Sequence, residues 1–432
     1  MGWWQIVLGV VVGLCALMVL VIIHELGHAW AAKRNGVKVE EFGIGFPPRA
    51  KILGKYKGTL ITLNWLLPLG GFCKMKGDDD FASAKEDELE DRKRKSRDKD
   101  SFEAAGFWAK TKILFAGVFM NLIAACVIMT ILAWVGMPKI LDDQFTMPSD
   151  TITELSPVVV VNVVKGSPAE KFESEYGDCE RTKDNGEIEK IGCFPNGIQL
   201  NDELISIAGE KIERPSDVSK LTEKYRGREV EIVYRGKRQR AKDCGLSECS
   251  FMFTLTSKIK LNEKNEGKGF LGVSTGQSEK FRATWSAPIV GVVNTFQFIW
   301  ATIAGIGQMI ANLSVGLWGL IVQNPDAGAQ MSAVGDSVAG PIGILGVIFP
   351  AALASGATEF LFLVGVISLT LTVMNILPIP GLDGGRWYLI AGFKLFKKKL
   401  TKKTEETVVG IGMLVLFGLV ILITISDVMK LW

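Results

Sequence analysis

Long runs without a charged residue dominate the pattern of hydrophobic and polar positions. Four of these runs, each of twenty residues or more, lie at 3–23, 113–137, 360–382 and 407–426. A helix of 21 residues rises about 31 Å, which matches the hydrocarbon thickness of a bilayer. The pattern predicts an α-helical integral membrane protein with about four transmembrane helices, at about 3–32, 110–137, 360–382 and 407–426.

Lys and Arg are concentrated in two loops between these runs. Eighteen lie in 33–112 and seven in 386–403, whereas none precedes the first run. Because cytoplasmic loops carry the excess of Lys and Arg, both basic loops should be cytoplasmic. Four spans then place both termini and the region 139–285 on the opposite side.

A fifth uncharged stretch, 287–323, conflicts with that count. One further crossing would invert 360–382 and carry the second basic loop to the outside. We therefore predict that 284–338 forms interfacial or amphipathic helices. The two membrane halves are then expected at 1–138 and 339–432.

Composition supports a membrane protein and excludes several other classes. The chain of 432 residues is 48% hydrophobic and 22% charged, with a mean hydropathy of +0.26. These values exclude a disordered, collagen-like or wholly soluble chain. The net charge is only +3, and no basic patch lies beside spaced aromatic residues. A lipid bilayer is therefore an expected partner, and nucleic acid is not.

Both histidines of the chain lie at the inner end of the first run, in the sequence HELGH. On a helix His24 and His28 share one face, so their side chains can bind one metal ion together. Glu25 is then placed to act as the general base for an attacking water. Ionisable residues in or against an apolar run are costly, which favours a functional role over a polar helix end exposed to water.

A catalytic zinc ion needs a third protein ligand, and the chain has no third histidine. Cys15 and Cys126 are candidates within the membrane, although Cys15 lies nearly three turns from His24. Asp383 is favoured, because it ends the run 360–382 and lies at the depth of His24 in the four-span topology. We expect one zinc ion per chain, although other divalent ions also suit such a ligand set.

The pair of motifs HELGH and NILPIPGLDGG resembles the site-2 protease family of intramembrane zinc metalloproteases, peptidase family M50. Within it, the chain is most similar to the bacterial regulator of sigma-E protease branch. The resemblance implies that His24, His28 and Asp383 bind zinc and that Glu25 is the catalytic base. It also implies that Asn375 helps to hold the substrate backbone near the metal.

The resemblance further implies an enzyme of the bacterial inner membrane that performs regulated intramembrane proteolysis. Its substrates would be single-span membrane proteins already trimmed by another protease, such as an anti-sigma factor or remnant signal peptides. The alternative is a catalytically inactive, membrane-anchored PDZ adaptor, against which the intact motifs argue. A metal transporter would need further polar residues along its spans.

The segment 57–77 is expected to form a β-hairpin, because strand-forming residues flank Pro68, Gly70 and Gly71. It resembles the membrane-associated β-loop of the family, in which Gly70 and Gly71 would contact an extended substrate. An ordinary cytoplasmic hairpin fits the sequence equally well. The following loop, 78–100, carries ten acidic and seven basic residues and is expected to be solvated.

The second run contains AGVFMN, which resembles the AGPxxN element of the family with Val118 in place of proline. Small residues there permit close packing of helices. Asn121 is expected to form a hydrogen bond across to the catalytic helix.

Region 150–275 alternates β-rich runs with short helical pieces and resembles one inserted α+β PDZ domain, with an insertion at 173–196. It would bind a peptide or protein ligand by strand addition. Four cysteines lie in it, and an even count outside the cytoplasm favours two disulfides. The simplest of the three possible connectivities pairs Cys179 with Cys193 and Cys244 with Cys249.

Overall fold

The structure is a computed structural model, and it describes nine stretches of the chain: 2–77, 98–171, 179–182, 188–191, 198–239, 250–264, 269–322, 340–398 and 400–431. The chain divides into two compact units. The first consists of Met1–Ile152 together with Arg282–Trp432, and the second is Thr153–Phe281.

Helices and strands alternate along the chain in three groups. Before residue 150 the chain forms α1 (Trp3–Arg34), β1 (Val39–Tyr56), β2 (Thr59–Met75), α2 (Phe107–Val135) and β3 (Met137–Pro138). The middle of the chain forms β4 (Ile152–Leu155), β5 (Val159–Val163), α3 (Pro168–Lys171), β6 (Cys179–Thr182), β7 (Ile188–Ile191), β8 (Glu203–Ile207), β9 (Glu210–Lys211), α4 (Pro215–Lys224), β10 (Glu229–Gln239), β11 (Ser250–Lys260), β12 (Val273–Gly276) and β13 (Glu279–Arg282). The remainder forms α5 (Ala287–Ile321), α6 (Pro341–Gly343), a π-helical turn (Ile344–Ile348), α7 (Phe349–Ser355), α8 (Ala357–Ile376), α9 (Asp383–Leu395) and α10 (Lys402–Leu431).

Long apolar helices occupy all four predicted positions, as α1, α2, α8 and α10. Within the described residues, five helices are long and apolar enough to cross a membrane, and α5 is the fifth. The predicted boundary at Leu382 is wrong, because α8 ends at Ile376. Pro378 and Pro380 cannot donate backbone hydrogen bonds, so the residues after Ile376 leave the helix.

Helix α5 contacts the bundle only near its beginning, in the contacts that the structure gives. Gly291 packs against the backbone of Thr130 in α2, and Phe298 meets Phe362 near the beginning of α8. These α5 residues are about 10 Å apart along the helix axis, yet both contact the same end of the bundle. Further along, Gly305 has open space around it. The arrangement favours a helix that lies across the bundle.

Small residues let α1, α2 and α8 approach closely. A Cβ atom built on Gly27 would lie 2.4 Å from the carbonyl oxygen of Ala116, and one on Gly365 would lie 3.0 Å from Ile128. The Ser368 hydroxyl donates a hydrogen bond of 2.8 Å to the Asn121 carbonyl. Close backbone contact of this kind is how helices associate without a hydrophobic driving force in lipid.

The β-hairpin begins at Val39, well before the predicted segment 57–77, because β1 supplies its first strand. β1 and β2 pair antiparallel and both bend. As a result, residues 60–63 pair with 51–55 and also with 41–44, and residues 71–75 pair with 39–44. In the pairings of the described residues, these segments lie in the order 51–55, 60–63, 41–44 and 71–75, so 71–75 is at one end of the order. The loop 78–97 lies outside the described residues.

Asp150 ties the loop after α2 to the start of α5. Its carboxylate accepts hydrogen bonds from the backbone nitrogen of Thr284 at 2.8 Å and of Ser286 at 2.9 Å, and from both hydroxyls. Partial burial alone would raise the pKa of Asp150, but the four hydrogen bonds outweigh it and lower the pKa to about 2.

This network predicts a defined pH dependence of stability. The folded-state pKa of Asp150 is below its ordinary value, so its stabilisation is complete above about pH 4 and is lost as pH falls through about 2. Asp150→Asn should be less stable than the wild type at pH 6, and the difference should shrink below pH 4. Thermal unfolding in detergent across this range measures it. A difference in stability between the variant and the wild type that does not change with pH would contradict the lowered pKa of Asp150.

The second unit is built on one antiparallel sheet with the strand order β11-β10-β8-β5-β12, and β9 pairs with β8. Its core is a cluster of buried apolar side chains that includes Val160, Ile207, Ile232 and Tyr234. Helix α4 begins at Pro215, and Asp217 accepts backbone hydrogen bonds at its amino terminus. In this sheet β12 is an edge strand.

The predicted disulfides fall largely outside the described residues. Cys193, Cys244 and Cys249 lie there, as does most of the predicted insertion 173–196. Cys179 begins β6, where its backbone is paired with Ile191 of β7, two positions before Cys193. The bridge between Cys179 and Cys193 stays a prediction.

Reduction should expose four additional thiols in the protein purified from an oxidising compartment. Alkylation before and after reduction, followed by mass spectrometry of the intact chain, counts them, and peptide mapping gives the pairing. If all seven cysteines of the chain react without reduction, the two disulfides are contradicted.

Candidate metal centre

The helical spacing of α1 brings His24 and His28 onto one face, where their side chains converge. The two Nε2 atoms lie 3.1 Å apart, and the rings meet edge to face. Gly27 and His28 are buried against α2. The close approach of α1 to α2 at Gly27 therefore places this face inside the bundle.

Asp383 reaches the histidines because the chain breaks between α8 and α9. Its Oδ2 lies 3.0 Å from Nε2 of His24 and 3.2 Å from Nε2 of His28. Asp383 is the first residue of α9, where the helix dipole stabilises a carboxylate. A Cβ on Gly384 would lie 2.5 Å from the carbonyl of Ile376, so only glycine permits this fold-back.

Three donor atoms thus form a triangle with sides of 3.0 to 3.2 Å. Tetrahedral zinc with bonds of about 2.0–2.1 Å separates its ligand atoms by about 3.3 Å. Two neutral imidazoles and one carboxylate are an established catalytic ligand set for zinc. Both the spacing and the chemistry of the donors therefore fit this ion. Among the described residues this is the one cluster of three or more such ligands, and neither Cys15 nor Cys126 belongs to it.

Each histidine has a contact at its other ring nitrogen. Nδ1 of His28 lies 2.8 Å from the carbonyl oxygen of Ile113, which suits a protonated Nδ1 and leaves Nε2 available to a metal. Nδ1 of His24 lies 3.3 Å from the Asn121 side-chain nitrogen. Asn121 therefore reaches α1, as predicted. The role of Ile113 was not predicted. Every residue has a backbone carbonyl, so the sequence does not indicate which carbonyl contacts His28.

Gly117 leaves the space that the two histidines occupy. A Cβ on it would lie 2.5 Å from Nε2 of His28 and 2.8 Å from Nε2 of His24. Sequence reasoning placed Gly117 in the AGVFMN element but assigned it no role at the metal. The glycine in AGVFMN is the sequence feature from which this role could have been predicted.

The hairpin reaches the site through Gly71. A Cβ on Gly71 would lie 3.6 Å from Cγ of Glu25 and 3.7 Å from Val21, so β2 passes directly beside the second residue of HELGH. Gly70 has a φ of +141° and lies against Phe46. Both glycines are buried, and Glu25 is half-buried.

Asn375 lies in the last turn of α8, and its backbone carbonyl faces Gly384. Its side-chain nitrogen donates a hydrogen bond of 2.9 Å to the carbonyl of Leu371, one turn back along the helix. Asn375 is half-buried and does not contact His24 or His28 in the hydrogen bonds that the structure gives. Gly384 directly follows the candidate ligand Asp383, so this backbone contact places Asn375 near the candidate metal ligands.

An apolar cavity of about 670 Å³ lies between α1, α2 and α8. Its lining includes Cys15, Ile23 and Met120, so it extends from the middle of α1 to the residue before His24. The space beside the candidate metal site is thus suited to apolar side chains.

Comparison with known proteins identifies the family. The family model described as Peptidase family M50 matches residues 12–419. The chain belongs to peptidase family M50. This assignment confirms the family that the two motifs indicated, and the matched range includes most of α1, the hairpin, α8 and Asp383.

Similar proteins cover nearly the whole chain. One from Clostridium perfringens is 28% identical over 419 residues, covering 97% of this chain and 98% of its own. One from Campylobacter jejuni is 27% identical over 423 residues, covering 95% and 90%. Both carry the name "Putative zinc metalloprotease". With several long apolar helices, the chain is consistent with a multi-pass membrane member of the M50 family.

Proposed function

We propose that the protein is a zinc metalloendopeptidase that cleaves single-span membrane proteins within or near the bilayer. The observation that supports this most directly is the convergence of His24, His28 and Asp383 within 3.2 Å beside Glu25. His24, His28 and Asp383 would hold one zinc ion. When bound, zinc polarises the scissile carbonyl and acidifies water.

Glu25 is assigned the proton transfers. Its carboxylate takes a proton from the attacking water and delivers it to the leaving nitrogen of the peptide. Glu25 follows His24 directly on the same turn of α1. Ile113 holds the ring of His28 through its carbonyl oxygen.

The hairpin is proposed to hold the substrate extended. A helical peptide bond is shielded, so the cleaved segment must unwind before water can attack it. The segment 71–75 is at one end of the order of paired segments in the hairpin, and Gly71 lies beside Glu25. Strand addition near Gly70 and Gly71 would supply backbone hydrogen bonds to the unwound segment. Asn375 would help to hold the same backbone near the metal.

The second unit is proposed to be a PDZ domain that selects trimmed substrates. Its edge strand β12 lies in the same unit as α4, and an unpaired strand edge is the element to which an extended peptide adds. The PDZ domain would exclude bulky, untrimmed ectodomains. Its ligand would be a peptide or protein segment, and the substrates would include an anti-sigma factor or remnant signal peptides.

We place the protein in the bacterial inner membrane, with both termini and the PDZ domain on the periplasmic side. The excess of Lys and Arg in 33–112 and 386–403 supports a cytoplasmic position for the metal site. We place α5 in the outer interface, which preserves the four-span topology.

The test uses the full chain in detergent with a tagged single-span substrate lacking its ectodomain, beside the same substrate with its ectodomain. We expect cleavage of the trimmed form, loss of cleavage on chelation and recovery with zinc. The untrimmed form should be cut more slowly. A folded sample that binds no metal would instead favour the membrane-anchored adaptor, and cleavage that is insensitive to chelation would contradict the metalloprotease.

A further inference from the structure

Asn121 lies at the centre of the membrane bundle, fully buried and in contact with a candidate metal ligand. Its exposed fraction is 0%. The side-chain nitrogen lies 3.3 Å from Nδ1 of His24, and the side-chain oxygen has no hydrogen-bond partner among the described residues. A buried amide oxygen without a partner costs free energy, so its position calls for a physical reason.

A metal on Nε2 changes what His24 requires from this neighbour. A neutral imidazole that binds a metal through one nitrogen carries its proton on the other. Nδ1 of His24 is then a donor and needs an acceptor. The amide nitrogen of Asn121 is also a donor, so the two groups could not form a hydrogen bond in that orientation.

Rotating the amide by half a turn resolves this conflict. The two ends of an asparagine side chain have nearly the same shape, so the rotation requires no movement of α1 or α2. The oxygen, which otherwise has no partner, then accepts the proton of His24 Nδ1. His28 already has the corresponding arrangement, with the Ile113 carbonyl as acceptor.

We infer that Asn121 is a positioning residue that accepts the Nδ1 proton of His24 through its side-chain oxygen and so fixes the metal-binding tautomer. The inference rests on the proposed function. Asn121 touches neither substrate nor metal, and it acts through His24. Partners of this kind commonly contribute 10- to 100-fold to metal affinity.

The backbone of Asn121 makes a separate hydrogen bond that does not involve its amide. The backbone carbonyl of Asn121 accepts a hydrogen bond of 2.8 Å from the Ser368 hydroxyl in α8. Ser368 therefore contacts the backbone of the same residue but not its amide. Ser368→Ala removes a buried hydrogen bond at Asn121 without changing the acceptor that His24 requires, which makes it a matched control.

The experiment measures zinc affinity by competition with a chelator in the full chain, and records the visible spectrum of the cobalt-substituted protein. Asn121→Leu, which removes the acceptor at similar size, should weaken zinc binding by about 10- to 100-fold and alter the cobalt spectrum. Asn121→Asp, which keeps an acceptor oxygen, should bind zinc at least as tightly as the wild type. Ser368→Ala should match the wild type in both readouts.

Each outcome bears on the inference separately from the proposed function. Unchanged zinc affinity in Asn121→Leu would overturn it, and so would an affinity in Asn121→Asp as weak as in Asn121→Leu. If Asn121→Leu does not fold, weaker zinc binding in Asn121→Asp than in the wild type would overturn the inference. A wild type that binds zinc but cleaves nothing would count against the proposed function and leave the affinity comparison valid. A wild type without zinc would overturn both.

Discussion

Glu25→Gln is expected to reduce the cleavage rate by about 10²- to 10⁴-fold, the usual contribution of a general base. Glutamine keeps the size and hydrogen-bonding shape of the side chain beside Gly71, but it cannot take a proton from water. Because His24, His28 and Asp383 are unchanged, the variant should still bind about one zinc per chain. Initial rates on the trimmed substrate and metal analysis of the same samples measure both.

Glu103→Gln makes the same chemical change at an exposed position outside the site and should leave cleavage and zinc unaltered. Equal cleavage by the Glu25 variant and the wild type would remove Glu25 from the mechanism. Loss of zinc together with cleavage in Glu25→Gln would show that Glu25 supports the metal site, and would contradict its assignment as a base alone.

Gly117→Ala is expected to abolish both zinc binding and cleavage. The added Cβ would lie 2.5 Å from the Nε2 atom of His28 and 2.8 Å from that of His24, which are the two donors of the proposed site. The helix itself gains from this change, since alanine is favoured over glycine by about 1 kcal/mol in a helix interior. The loss would therefore come from displaced ligands and not from a weaker α2. Metal content of the monodisperse fraction from size exclusion measures it.

Gly418→Ala in α10 is the matched control, because nothing lies within 4 Å of a Cβ at that position. It should retain full zinc content and full cleavage. Stoichiometric zinc in Gly117→Ala would mean that α1 and α2 can separate without loss of the site, contrary to the close packing of Gly27 on Ala116.

Local patterns predicted the elements that carry the chemistry. Uncharged runs located α1, α2, α8 and α10, because apolar length is a property of consecutive residues. The spacing of His24 and His28 predicted a shared helix face for the same reason. The family followed from the two motifs and is confirmed by the match over residues 12–419.

Other features depend on partners that are distant in the sequence. The hairpin proved to begin at Val39, since its pairing with β2 depends on long-range register and not on local strand propensity. The end of α8 at Ile376 depends on Pro378 and Pro380 and on the fold-back onto α9. The disposition of α5 likewise depends on its contacts with α2 and α8, since its apolar sequence alone suits a span equally well.

The sequence by itself therefore determined the family, the long apolar helices and the identity of the residues proposed to bind zinc and move the proton. Those properties depend on the types of residues and on their spacing along one element. Only the tertiary structure decided that Asp383 comes within 3.2 Å of both histidines, that Gly117 leaves room for them and that Asn121 meets His24. Each of these contacts joins residues on different helices that are far apart in the sequence, and such contacts are set by how the helices pack.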